Sequence, residues 1–267
     1  MVVNGFFSAF SEVESALLAL ALSWPRIMVI LWIFPSLTEA VISTAVRSAV
    51  AISLSLIAAP VVYEDLPSQG ISLGVGLAII VKEVFIGLLI GFMIALPFWT
   101  AITIGFLIDT QRGAFMASLI SPFFRGRVSP LGTLLAQALT VLFFSSGGFL
   151  VLLDSLYQSY VFWPVPAFFP HMNSGDFSYF VHAFGTILYF TVFLAAPVVL
   201  ILFLIDLSMG LINRFVPQLN VFFLSLPIKG ALAIFIMLIY IMTLIDYFGK
   251  KFIAIPIIFS ELGAMFQ

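Results

Sequence analysis

Two histidines, His171 and His182, are the residues of this 267-residue chain best suited to acid–base or metal chemistry near neutral pH. Neither belongs to a His-x-x-x-His pair or stands beside a cluster of carboxylates, so a metal site is unsupported. The chain has no cysteine and no Gly-x-Ser-x-Gly, Walker or dinucleotide-binding motif. The sequence therefore predicts a protein that is not an enzyme and uses no cofactor, with the histidines as solvated or interfacial residues.

Charged residues set within hydrophobic sequence carry more information, because each is costly at the centre of a bilayer and is expected to face protein or water. Six residues are of this kind: Arg26, Arg47, Lys82, Glu83, Asp206 and Lys229. For Arg26 and Arg47, snorkelling toward the headgroups is the simpler interpretation. Lys82 and Glu83 are sequence neighbours and do not face each other on a helix, so we expect them to pair with other elements, which favours partner helices.

The stretch from residue 206 to 230 interrupts hydrophobic sequence with an acid, an arginine, amides, prolines and a lysine. Apolar residues recur in it at helical spacing, which predicts that the preceding span continues as an amphipathic helix until Pro217 turns the chain into a tight hairpin. The polar face of this helix carries Asn213, Arg214 and Gln218. Asp206 and Arg214 are too far apart for a direct bond, so we expect partners in other chains or in Lys229 across the hairpin.

The elements that must position these groups are membrane helices. Of all residues 63% are hydrophobic and only 8% charged, and the mean hydropathy is +1.25, which is typical of integral membrane proteins. A net charge of -2 gives no basic field for nucleic acid. The N-terminal segment carries Glu12 and Glu14 but no basic residue, so it lacks the start of a cleavable signal peptide and is expected to belong to the mature protein.

Six hydrophobic blocks reach the length of about 20 apolar residues that a bilayer-spanning helix needs. They are residues 15–34, 41–62, 71–108, 131–153, 183–205 and 221–245. The runs are solidly apolar rather than alternating, so an all-α fold is predicted. The third block is too long for one span, and we expect a broken or doubled helix there.

Prolines inside the blocks predict kinked or interrupted helices, which need protein neighbours or a wet cavity. They are Pro25, Pro60, Pro97, Pro197 and Pro227. Gly87 and Gly91 would let another helix approach closely. The basic residues leave the topology open. With six simple spans, the loop that carries Arg112, Arg125 and Arg127 lies on the same side as Arg214, whereas Lys250 and Lys251 lie on the opposite side.

The connection between the third and fourth blocks, residues 109–130, is long for a simple turn. Its polar start is followed by an apolar stretch too short to span a membrane, and Pro122, Gly126 and Pro130 prevent a regular helix in the rest. A functional loop or lid and an ordinary interfacial loop are both compatible with this pattern.

Two stretches resemble a known family. "WTAITIGFLIDTQRGA" and "LIDLSMGLINRFVPQLNVFFLSLPIKG" are similar to the type III secretion export-apparatus proteins of the SctT family and its flagellar relative FliR. The order of elements agrees from about residue 13 to residue 247, and the most specific parts are residues 108–113 and 213–220. The Gln-Arg-Gly form at 111–113 looks more like the injectisome branch.

The resemblance implies a non-enzymatic subunit of the type III export gate, multi-pass in the bacterial inner membrane at the centre of the secretion basal body. Its fold would consist of kinked and broken helical hairpins packed in a multi-subunit helical gate. The implied partners are SctR-type and SctS-type membrane subunits, an autocleaving SctU-type switch protein, unfolded secreted proteins as substrates, and membrane lipid.

The resemblance also implies roles for particular residues. In the family, the connection that matches 109–129 projects into the lumen as a plug, whose predicted residues here are Asp109, Gln111, Arg112, Gly113, Phe115, Met116, Phe123, Phe124 and Gly126. Its apolar side chains would close the pore, and its glycines would serve as hinges. The predicted assembly residues are Lys82, Glu83, Asp206, Asn213, Arg214, Pro217, Gln218 and Lys229.

We expect a single domain with five parts: a helical part 13–108, the plug-like loop 109–130, helices and a loop over 131–182, a C-terminal hairpin 183–247, and a tail 248–267. Two other functions remain open on the residues alone. In an ion-coupled secondary transporter, Asp206, Arg214 or the Lys82 and Glu83 pair would bind substrate or proton at broken helices, although no internal repeat is evident. A structural subunit of another membrane complex, such as a respiratory one, is the other.

Overall fold

A computed structural model of the chain describes residues 2–37, 42–67, 71–115, 129–168, 176–218 and 220–253. Every regular element in these ranges is helical, which confirms the all-α prediction. The elements are α1 (Val2–Ile33), a 3-10 turn (Pro35–Leu37), α2 (Thr44–Asp65), α3 (Leu73–Gln111), α4 (Pro130–Ser145), α5 (Gly148–Phe162), α6 (Asp176–Phe215) and α7 (Val221–Ile253).

Within the described part of the chain, five helical segments are long and apolar enough to cross a membrane. They are Glu12–Ile33, Thr44–Asp65, Leu73–Gln111, Phe184–Phe215 and Val221–Phe252. The adjoining helices α4 and α5 would supply a sixth span if the pair crosses together. The protein is therefore a multi-pass membrane protein.

The third and fourth hydrophobic blocks differ from their predicted form. The predicted break in the third block is wrong, because α3 runs without interruption for 39 residues through Pro97. The fourth block, predicted as one span, is instead divided between α4 and α5. Gly147 stands between them with a φ of 78°, a left-handed conformation that glycine adopts without steric cost.

All five prolines that predicted interruptions lie inside helices. A proline removes one backbone donor, and helices in membranes tolerate this loss when neighbouring helices and hydroxyl side chains satisfy the freed groups. Near Pro97 the Thr100 and Thr103 hydroxyls donate to the carbonyls of Leu96 and Trp99 at 2.8 and 2.7 Å, whereas the carbonyl that loses its donor to the proline is that of Met93.

The chain divides into two compact units. Unit 1 comprises Met1–Ala95, Gly147–Phe180 and Ala254–Gln267, and unit 2 comprises Leu96–Ser146 and Val181–Ile253. Unit 1 thus holds α1, α2, α5 and the first part of α3. Unit 2 holds the last part of α3, together with α4, α7 and nearly all of α6.

In unit 1, α1 packs against α2 and also against α3, where glycine allows close contact. A Cβ atom at Gly87 would lie 2.6 Å from the Arg26 carbonyl oxygen, and one at Gly91 would lie 3.2 Å from the Ile30 Cα atom. The close helix approach predicted for Gly87 and Gly91 is confirmed, and the approaching helix is α1 of the same chain.

Unit 2 has an equally close contact between α3 and α4. A Cβ atom at Gly105 would overlap the backbone of Gly132. Unit 2 also holds a buried cluster of the Phe98, Phe143 and Phe252 rings, with centroids 5.3 to 5.6 Å apart. Tilted and edge-on aromatic pairs of this kind contribute about 0.5 to 1.5 kcal/mol each beyond their buried area.

Gly105→Ala is therefore expected to lower the free energy of unfolding by about 1 to 3 kcal/mol, because the added methyl group forces two packed backbones apart. The midpoint of thermal unfolding of the detergent-purified protein measures the effect. Gly210→Ala on α6 is the matched control, since no described atom lies within 4 Å of its Cβ position. Equal midpoints for the two variants would contradict the backbone contact.

Candidate functional site

Two polar clusters, one in each unit, and an ion pair beside the second cluster together hold five of the six charges that stand within hydrophobic sequence. The Glu83 cluster of unit 1 consists of Arg26, Lys82, Glu83, Ser159 and Tyr160. The loop root of unit 2 consists of Asp109, Gln111, Arg112, Gly113 and Ser129, and the ion pair of Asp206 and Lys229 lies against it.

The Glu83 cluster centres on a carboxylate that is fully buried in α3. Arg26 of α1 donates from Nε to Oε2 at 2.6 Å and from Nη2 to Oε1 at 3.0 Å, which is the strong two-point geometry of an arginine and a carboxylate. Lys82 Nζ lies 2.9 Å from Oε1 of the same carboxylate. One anion therefore faces two buried cations.

The remaining donors of these cations meet the end of α5. Lys82 Nζ donates to the carbonyls of Pro164, Val165 and Ala167 at 3.0, 2.7 and 3.1 Å, and Arg26 Nη2 donates to the Trp163 carbonyl at 3.0 Å. Carbonyls at and beyond a helix C-terminus lack intrahelical partners and attract positive charge. They solvate the cation that Glu83 does not neutralise.

Two side chains of α5 complete the cluster. Ser159 Oγ accepts a hydrogen bond from Arg26 Nη1 at 3.0 Å, and the Tyr160 ring lies 4.1 Å from the Arg26 Cζ atom. The Tyr160 hydroxyl donates to the Ser23 carbonyl at 2.7 Å. The cluster thereby joins α1, α3 and α5 within unit 1.

These positions correct three predictions. Arg26 does not snorkel, because it is fully buried against Glu83, and Arg47 is also buried and donates to the Leu37 carbonyl. Lys82 and Glu83 do contact each other, since the long lysine side chain bends back along the helix. As predicted, the two residues also pair with other elements, namely Arg26 of α1 and the carbonyls beyond α5, and these belong to the same chain. Their role at an assembly interface stays a prediction.

The loop root is organised by Asp109, a fully buried carboxylate in the last turn of α3. Its Oδ2 atom accepts hydrogen bonds from the Ser129 hydroxyl at 2.6 Å and from the Leu131 backbone N–H at 3.0 Å. Its Oδ1 atom accepts a hydrogen bond from Arg112 Nε at 2.7 Å. One side chain thus binds residues at both ends of the 109–130 connection.

Local sequence explains why both ends are ordered. Ser129 Oγ also accepts the Gly132 N–H at 2.9 Å and caps α4, whose first residue is Pro130. At the other end, Gly113 has a φ of 78°, and its N–H donates to the Thr110 carbonyl at 3.1 Å, which ends α3 with a left-handed glycine. The Phe115 ring packs on Phe106, with centroids 5.1 Å apart.

The ion pair between α6 and α7 confirms one of the two predicted alternatives for Asp206, a partner in Lys229 across the hairpin. Lys229 Nζ lies 2.8 Å from Asp206 Oδ1 and donates to the Gln111 carbonyl at 3.1 Å. Gln111 Nε2 donates to Asp206 Oδ2 at 3.3 Å. The α6 and α7 helices therefore return on each other as the predicted hairpin, and the hairpin contacts the loop root.

The other predicted site residues are distributed as follows. At the end of α6 and in the turn that follows lie the exposed Asn213, Arg214, Pro217 and Gln218. Outside the described residues lie Met116, Phe123, Phe124 and Gly126, and also His171. His182 is exposed on α6.

Sequence reasoning missed several groups that the structure brings into the clusters. Ser129 was detectable, because Ser-Pro ahead of an apolar run is a helix N-cap signal. Pro164 and Pro166, which follow Trp163, also indicated a turn whose backbone carbonyls are free to accept hydrogen bonds. Ser159 and Tyr160 gave no signal, since a serine and a tyrosine in an apolar helix are unremarkable.

The hairpin helices expose large apolar side chains along their length. On α6 these include Leu188, Val192, Leu200, Leu204, Leu211 and Phe215, and on α7 Phe223, Phe235, Leu238, Ile239 and Met242. In a membrane protein such a surface contacts lipid or other helices.

Known proteins match the chain over most of its length. The model of the family "Bacterial export proteins, family 1" matches residues 17–255, which include both clusters. Yop proteins translocation protein T of Yersinia pestis is 38% identical over 244 residues, which are 91% of this chain and 93% of that protein.

Two further relatives are named for a secretion system and for flagellar biosynthesis. The secretion system apparatus protein SsaT of Salmonella typhimurium is 34% identical over 85% of this chain and 88% of its own length. The flagellar biosynthetic protein FliR of Bacillus subtilis is 39% identical over 61% of this chain and 63% of its own length. With its apolar spans, its paired buried charges and this extent of similarity, the chain belongs to the bacterial export proteins, family 1, and its role is in protein export.

Proposed function

We propose that this protein is a non-enzymatic subunit of a type III secretion export gate in the bacterial inner membrane. It forms part of the pore through which unfolded proteins pass, and its 109–130 connection is the luminal plug. The family match and relatives named for translocation and secretion support the export role. The single observation that favours a plug in this chain is the Asp109 carboxylate, which binds both ends of the connection at one buried point.

A plug must be held at its base while its middle can be displaced by a passing chain. Asp109 meets the first requirement, because charge-assisted hydrogen bonds to a buried carboxylate are about twice as strong as neutral ones. The segment between the two ends carries Phe115, Met116, Phe123 and Phe124, whose deformable apolar bulk would exclude water and ions. The base and the seal are thus made by different residues.

The proposed partners are SctR-type and SctS-type subunits, an SctU-type switch protein and lipid, with the gate at the centre of the basal body. The exposed apolar residues of α6 and α7 would pack on neighbouring helices. The exposed hairpin tip would offer polar contacts through Asn213, Arg214 and Gln218, with Pro217 fixing its turn.

An ion-coupled transporter receives less support from the structure. Such a protein needs charged groups that are available to substrate or proton near the middle of the membrane. Of the candidates for this role, Glu83 and Lys82 are buried and bound to groups of the same chain, and Asp206 is paired with Lys229. Arg214 is exposed, but it lies in the last turn of α6.

The plug assignment predicts a leak when the segment is replaced. A Gly-Ser linker of equal length in place of residues 114–127 leaves Asp109 and Ser129 intact, so we expect the gate to assemble and to pass small ions that the parent gate excludes. Ion flux through the purified, reconstituted gate measures this.

The matched control carries residues 114–127 in scrambled order. It keeps the apolar bulk and should therefore stay tight to ions. If the assembled gate with the Gly-Ser linker were as tight as the parent, the connection would not be the plug.

A further inference from the structure

We infer that the Asp206 and Lys229 ion pair is a positioning device for the loop root and acts on it through Gln111. The inference rests on the proposed function and deepens it, because it assigns the hairpin a part in holding the plug. The three residues form a closed set of contacts: lysine to aspartate, lysine to the Gln111 carbonyl, and the Gln111 side chain to aspartate.

The contact uses a group that α3 leaves free. The last carbonyls of a helix have no intrahelical partner, and a cation is stabilised there by the helix dipole. Gln111 is the last residue of α3, and the Lys229 ammonium donates to its carbonyl. Lys229 is 7% exposed, so the lysine lies within the protein rather than in solvent.

The same helix contacts the root a second time. Leu226 lies about one turn before Lys229 on α7, and a Cβ atom at Gly113 would overlap its Cδ2 atom. Gly113 is the left-handed residue at which the connection leaves α3. The hairpin therefore touches the root at Gln111 by charge and at Gly113 by packing.

A second ion pair on α7 is exposed to solvent. Lys250 and Asp246 are 2.7 Å apart in adjacent turns, and their side chains are 74% and 68% exposed. Pairs of this kind contribute little to stability, because water screens them. They provide a matched control on the same helix.

The test uses the absence of cysteine from the chain. Cysteines at Gly113 and Leu226 form a suitable pair for cross-linking, since a Cβ atom at 113 would lie 3.9 Å from Leu226 Cγ, the position that a cysteine sulfur at 226 would take. The rate of oxidative cross-linking in the assembled gate reports the distance between root and hairpin. We expect Lys229→Met to lower that rate about tenfold, because the loss of a buried partner releases the root.

Lys250→Met should leave the cross-linking rate unchanged. The double variant Asp206→Lys with Lys229→Asp restores opposite charges between α6 and α7 but places a carboxylate opposite the Gln111 carbonyl. We expect cross-linking in this double variant to remain as slow as in Lys229→Met. Full recovery of the rate would show that the pair merely stabilises the hairpin, and would overturn the role of Gln111.

A second measurement avoids strain from a side chain at position 113. A photoreactive benzoylphenylalanine in place of Leu226 should capture residues 110–114 in the parent background and capture them less in Lys229→Met. Unchanged capture together with unchanged cross-linking would overturn the inference.

Ion flux through the same variants separates the two proposals. Slower cross-linking with a new leak supports both of them. Slower cross-linking without a leak supports the positioning role and removes the plug assignment. Unchanged cross-linking with a leak removes the positioning role and leaves the plug assignment standing.

Discussion

Glu83→Ala is expected to lower the free energy of unfolding by about 3 to 5 kcal/mol, the usual cost of removing one partner from a buried ion pair. The substitution leaves Arg26 and Lys82 without a carboxylate, although both side chains are buried. The carbonyls at the end of α5 can solvate one cation, but they cannot neutralise two. Because the cluster joins α1, α3 and α5, we expect all three helices to loosen.

The midpoint of thermal unfolding in detergent measures this effect, and a fall of about 10 °C is expected for a protein of this size. Asp154→Ala is the control, since it also removes a carboxylate, but one that is exposed on α5 and accepts a hydrogen bond from Gln158. The paired replacement of Arg26 and Glu83 by methionine should recover much of the loss, because a buried ion pair can be exchanged for apolar side chains of similar volume. A midpoint for Glu83→Ala equal to that of Asp154→Ala would disprove the buried pairing.

Asp109→Asn is expected to cost about 3 kcal/mol and to make the assembled gate leak. Asn presents one acceptor oxygen and one amide group in place of two carboxylate oxygens. Either Arg112 loses its anion, or Ser129 and Leu131 lose their acceptor. In both cases one end of the 109–130 connection is released from α3.

Ion flux through the reconstituted gate and the thermal midpoint together measure the effect. Thr110→Val is the matched control. Thr110 is the neighbour of Asp109, and its hydroxyl is exposed and donates to the Phe106 carbonyl of the same helix. We expect the control to stay tight and stable. An Asp109→Asn gate indistinguishable from the Thr110→Val gate would show that the carboxylate does not hold the connection.

The membrane helices could be predicted from the sequence because hydropathy and length are properties of each segment by itself. Their breaks could not be predicted in this way. Pro97 lies inside a continuous helix, because the protein neighbours of a membrane helix decide whether a missing backbone donor is tolerated. Gly147 ends one helix and starts another because the backbone there is left-handed, a choice that composition does not reveal.

The two clusters differ in how far the sequence predicted them. Asp206 and Lys229 could be paired because a tight turn at Pro217 brings the adjoining helices together. Arg26 and Glu83 could not, since they are separated by 57 residues and nothing in either helix specifies the other. The roles of Met116, Phe123, Phe124 and Gly126, which lie outside the described residues, remain predictions.

The distance between Arg26 and Glu83 along the chain has a consequence for biogenesis. Arg26 leaves the ribosome 57 residues ahead of its carboxylate, an interval of about 3 to 11 s at a synthesis rate of about 5 to 20 residues per second. During that interval the nascent first helix carries an uncompensated guanidinium, at a cost of about 2.5 to 3.5 kcal/mol at the centre of a bilayer. We therefore expect α3 to complete the stable integration of α1, and the N-terminal helices to leave the translocon for the lipid as a group.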